Sequence, residues 1–88
     1  MHKWTDQECE TVCKVFRDEF INSSNSIEIA IKKVKTLCPA LEEGSIRMKI
    51  ANTICICDEV RIKHNCNISS LDHYSQQHRK AFRTVFGV

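Results

Sequence analysis

The chain has 88 residues, of which 42% are hydrophobic and 27% charged, with two Gly, one Pro, six Cys and four His. That length allows one modest hydrophobic core, so a single domain spanning 1–88 is expected, and the composition is that of a helix-rich globular chain rather than a disordered one. The net charge of +2 is too mild to announce a nucleic-acid binder, and no run approaches the roughly 18 apolar residues of a membrane span, so no membrane contact is expected.

Thr5-Asp6-Gln7-Glu8 reads as a capping box at the start of a helix. Cys9, Val12, Cys13, Phe16 and Phe20 follow at helical spacing opposite Asp6, Glu10, Lys14 and Arg17, which predicts a first helix ending near Ile21. After the polar turn at Asn22–Asn25, Ser26 can cap a second helix whose stripe is Ile27, Ala30, Ile31, Val34 and Leu37. Pro39 stops it by forcing Cys38 out of helical geometry.

The third helix, predicted to start at Ser45, carries two different faces. At about 100° per residue, Ile46, Ile50, Thr53, Ile54 and Cys57 share one side, and Ser45, Met48, Lys49 and Asn52 share the other. The first set needs a core. The second, with Lys and Asn one turn apart, is what a helix against nucleic acid offers to phosphates and base edges, although a solvated face has the same pattern. The stretch from Asp58 to Asp72 reads as an ordered loop with a short strand or turn. Ser75 can cap a last helix with Ala81, Phe82, Val85, Phe86 and His78 inward and Arg79, Lys80 and Arg83 as a positive strip. The predicted helices are therefore 5–20, 26–37, 45–56 and 75–86. The fold class is all-α, a compact bundle of about four helices.

Met1-His2-Lys3-Trp4 lacks a signal-peptide apolar run, which predicts a cytoplasmic protein with reduced thiols. Cys55, Cys57, His64 and Cys66 have the number and type of ligands for structural zinc. Their spacing argues against it, because on a continuing helix Cys55 and Cys57 point about 200° apart. No metal or other cofactor is expected, and this set is the alternative. The chain carries no Gly-rich phosphate loop, His-Glu-x-x-His or Ser-His-Asp signature, so it is expected not to be an enzyme. His73, Tyr74 and His78 are read as cap and packing residues rather than as a general-acid cluster, and Trp4 as closing the core beside Phe16 and the last helix.

Trp4-Thr5 with Glu8, followed by three short helices, resembles the Myb/SANT-like tri-helical arrangement. A more specific pattern comprises Trp4-Thr5, Gly44-Ser45-Ile46-Arg47-Met48-Lys49-Ile50-Ala51-Asn52, Leu71-Asp72-His73-Tyr74-Ser75-Gln76-Gln77 and Phe82. It resembles a small N-terminal domain of bacterial and phage-associated HNH endonuclease-like and restriction-related proteins. The resemblance covers nearly the whole chain and implies a helix-turn-helix-like core in an accessory module that guides a nuclease to DNA. It places Ser45, Lys49 and Asn52 on the contact face. No His-Asn-His metal-binding constellation accompanies it.

Two functional expectations follow. The first is a non-enzymatic module that binds duplex DNA through Ser45, Arg47, Met48, Lys49 and Asn52, with Arg79 and Arg83 on phosphates. The second is a small phage or mobile-element protein that binds and inhibits a bacterial nuclease or defence complex through protein contacts.

Overall fold

Thr5 starts the first helix with both halves of its capping box in place. Its hydroxyl accepts from the Glu8 N–H at 3.1 Å, and its own N–H donates to the Glu8 carboxylate at 2.9 Å. In the computed structural model, which describes residues 2–88, helix α1 spans Asp6–Phe16 and continues as a π-helical turn over Arg17–Ile21. Helix α2 is Ile27–Leu37, α3 is Glu43–Val60 and α4 is Gln76–Phe86. Ser26 and Ser75 cap α2 and α4, each hydroxyl accepting a backbone N–H three residues on. Cys38, before Pro39, leaves helical geometry at φ −132°. The fold is a small all-helical bundle.

One expectation is corrected: the third helix runs to Val60, four residues past its predicted end. From Arg61 to Asp72 the chain is a loop with a turn at Arg61 and no strand, the turn being the one of the two expected alternatives that forms. Helix α3 stops at Arg61, which takes the left-handed conformation (φ 62°) and lets the Ile62 N–H return to the Cys57 carbonyl at 2.9 Å. Glycine normally marks that position, so an arginine there leaves no stop signal in the sequence.

The core is built from all four helices. Val12, Phe16 and Phe20 from the first helix and its π turn meet Val34, Leu41, Ile46, Ile50, Ile56 and Phe82, all essentially inaccessible to solvent. Trp4 is half-buried and packs on the edge of this cluster, its carbonyl accepting from Gln77 Nε2 on α4 at 3.0 Å. Helix α4 packs mainly on α1, and α3 touches α1, α2 and α4.

A charge lies inside this frame. Glu19, on the π turn, is only 3% exposed, and its carboxylate accepts from Lys33 Nζ at 2.8 Å and Asn25 Nδ2 at 3.0 Å. Glu19 falls three residues after Phe16 and four after Val15, on the flank of the apolar stripe, so burial of its carboxylate requires these partners.

Candidate nucleic-acid interface

The exposed part of α3 is its first half. Arg47 and Met48 project into solvent, Met48 with 58% of its surface free, whereas Ser45 and Lys49 are half-buried. Lys49 leans back onto the N-terminal segment, its Nζ 5.1 Å from the centre of the Trp4 ring, a cation–π contact that draws the charge towards the protein.

Asn52 departs from the expected outward placement. It is 7% exposed, and its Nδ2 donates to the Leu71 carbonyl at 2.6 Å. The Leu71 N–H in turn donates to the Ala51 carbonyl at 3.1 Å. The connector between α3 and α4 thus folds over the side of α3 that periodicity assigns to solvent. Asn52 is turned into that clamp and largely buried, with one amide N–H held by the connector rather than presented to a base edge.

Between α3 and the connector lies a shallow concavity lined by Arg47, Met48, Ala51, Asn67, Ser69 and Ser70, with Ile68 and Leu71. It contains a cation, hydroxyls and an amide, and no carboxylate. The other main concavities of the described residues each include at least one acid: Asp58, Glu28 with Glu43, Asp18 with Glu19, or Glu8. A surface that offers donors and positive charge without acids suits an anion with several acceptor oxygens.

The cationic strip of α4 divides into two. Arg83 and Lys80 are exposed, with no ion pair among the described residues. Arg79 is half-buried, with Nη2 donating to the Val88 carbonyl at 2.7 Å and its guanidinium 5.7 Å from the Phe82 ring centre. It is therefore tied to its own helix and the residues after it, and no hydrogen bond or ion pair among the described residues joins it to α3.

The cysteine and histidine sets resolve into packing. Cys57 is buried and Cys55 half-buried on one continuous helix, Cys66 is buried, and His64 pairs with Asp58 at 3.4 Å. Among the described residues, no three Cys, His, Asp or Glu side chains gather around one point. The Cys13 thiol sits 3.9 Å from His78 Nε2, both fully buried. Burial, with Cys9 and Cys57 nearby, pushes the Cys13 thiol up to about 12, the opposite of an activated nucleophile. His73 is exposed, with left-handed backbone (φ 63°), and the Tyr74 hydroxyl donates to Glu59. With His78 enclosed, these three groups share no accessible site.

His78 is the polar residue of this cluster whose bonding can be assigned. The Thr53 hydroxyl donates to the Lys49 carbonyl at 2.8 Å, so its oxygen accepts from His78 Nε2–H at 2.8 Å. Nδ1 then carries the lone pair and has no partner. Burial, reinforced by the Lys49 charge, lowers the imidazole from 6.5 to about 4.

The Glu19–Lys33–Asn25 cluster and the Asn52–Leu71 clamp escape sequence reading for different reasons. An acid on an apolar stripe is a visible signal for the first, but an asparagine on a polar face gives none for the second. Searches against protein-family models, curated proteins and solved structures found no match to the chain.

Proposed function

We propose that this chain is a non-enzymatic DNA-binding module of a nuclease or restriction-type system, with the first half of α3 set against duplex DNA. The observation that supports this reading is the acid-free concavity beside Arg47, where a free guanidinium lies next to unpaired hydroxyl and amide groups. Arg47 is the principal phosphate or guanine contact, Ser45 and Met48 line the approach, and Lys49 contributes charge from its place over Trp4. Asn52 supports the surface from beneath. Arg83 extends the positive field without a contact to this face. The sequence pattern around Gly44–Asn52 points the same way through its likeness to nuclease-associated domains.

A salt titration of binding to duplex DNA tests the reading. Arg47→Ala should weaken binding across sequences and flatten the salt dependence by about one unit of slope, because one phosphate contact is lost. Absence of wild-type binding even at about 50 mM salt, where the electrostatic contribution is strong, rules the reading out.

One observation favours a second reading, a protein that docks on a bacterial nuclease or defence complex. Ile29 and Leu37 are 44% and 66% exposed and line one concavity with Val15 and Thr36 between α1 and α2. Under this reading, capture of a nuclease or defence protein survives nuclease treatment and is abolished by Leu37→Asp, whereas Arg47→Ala leaves it intact.

A further inference from the structure

The segment from Asn67 to Ser70 has the composition of a loop but not the bonding of one that serves only to link two helices. Among the described residues, the side chains of Asn67, Ser69 and Ser70 make no hydrogen bond, and neither do their backbone N–H groups. These donors border the same concavity as Arg47 and Met48. Their position is fixed by the next residue, since Leu71 is held at both ends of its backbone, N–H to Ala51 and carbonyl to Asn52. Tyr74, bonded to Glu59, ties the connector to α3 a second time.

Resting on the DNA-binding reading, we propose that Asn67, Ser69 and Ser70 form a second phosphodiester-contacting edge facing Arg47, and that Asn52 is a positioning residue acting through Leu71. The chemistry is complementary. A phosphodiester presents acceptor oxygens, and this edge presents backbone amides, hydroxyls and a carboxamide with no acid among them. The Arg47 side supplies charge. The connector side supplies oriented neutral donors, which set the register of the backbone.

The experiment is a fluorescence-anisotropy salt titration with a duplex DNA, using wild type, variants of the exposed Ser69 and Ser70 and a variant of the buried Asn52, with thermal midpoints measured in parallel. Ser70→Glu places a carboxylate in the concavity and should lower affinity at least tenfold with the midpoint unchanged. Ser69→Ala/Ser70→Ala should lower it about threefold to tenfold, the range of one or two lost hydrogen bonds. Asn52→Ala should weaken binding and speed amide exchange at Leu71. In the Ser69→Ala/Ser70→Ala background it should cost less, because two of the donors that it positions are already gone. An equal cost in both backgrounds marks a purely structural role and overturns that assignment. If Ser70→Glu and the double alanine variant bind like wild type while Arg47→Ala does not, the connector edge is refuted and the DNA reading stands. Wild type that fails to bind the duplex refutes both.

Discussion

Acid should unfold this protein through His78 before its carboxylates are protonated. The imidazole is completely buried, is bonded through Nε2 to Thr53, and has its pKa held at about 4 against 6.5 when unfolded. The groups that face it are Cys13 on α1 and Thr53 and Lys49 on α3, among which Lys49 supplies positive charge. A histidine whose folded pKa is depressed binds fewer protons folded than unfolded between those two values. Its contribution is therefore fully present above the unfolded pKa and is lost as pH falls towards the folded one. From about pH 7 to about pH 4.5 the loss works out at roughly 2.5 kcal/mol, a large part of the stability of a domain this small. Glu8, whose burial is outweighed by bonds from His2 and Thr5 so that its carboxyl lies below the usual range, loses its contribution only below that window. Urea unfolding followed by circular dichroism at several pH values measures the slope, and His78→Gln is the comparison. Wild type that loses less than about 0.5 kcal/mol, or a variant with the same slope as wild type, refutes the reasoning.

Ile50→Ala should cost about 2–4 kcal/mol in the same assay, since the side chain is 1% exposed in the middle of the core. Lys33→Met leaves the Glu19 carboxylate with Asn25 alone and should cost about 1–2 kcal/mol, while Glu19→Met/Lys33→Met should recover most of that loss in a double-mutant cycle. Thiol labelling followed by mass spectrometry should modify Cys38 and Cys55 in the native protein and reach Cys9, Cys13 and Cys57 only on unfolding, because the latter are enclosed. Early modification of Cys13 or Cys57, whose thiols burial pushes up to about 12, contradicts the packing described.

Local signals were sufficient for the starts of α1, α2 and α4 and for the end of α2. Thr5 with Glu8, Ser26 and Ser75 each supply an acceptor for the otherwise unpaired amides of a first turn, and Pro39 removes the backbone freedom that α2 needs to continue. These effects act within a few residues, so they are written in the chain. The exposed Arg47 and Met48 were equally legible, because the first turns of α3 have a free side. The second half of α3 was not. Helix α3 as a whole touches α1, α2 and α4, the connector bonds to it at Ala51 and Asn52, and from Ile50 to Cys57 only Cys55 escapes burial. A helix enclosed in this way has no solvent face for periodicity to report. Whether Asn52 meets DNA or the Leu71 carbonyl depended on where a connector with no strand or helix pattern came to rest. Likewise, Glu19 shows in sequence only as an acid beside apolar residues, and its pairing with Lys33, fourteen positions away, exists once α2 has docked. Arg61 completes the contrast. Its left-handed backbone ends α3 without glycine, so that boundary was decided by the packing beyond it.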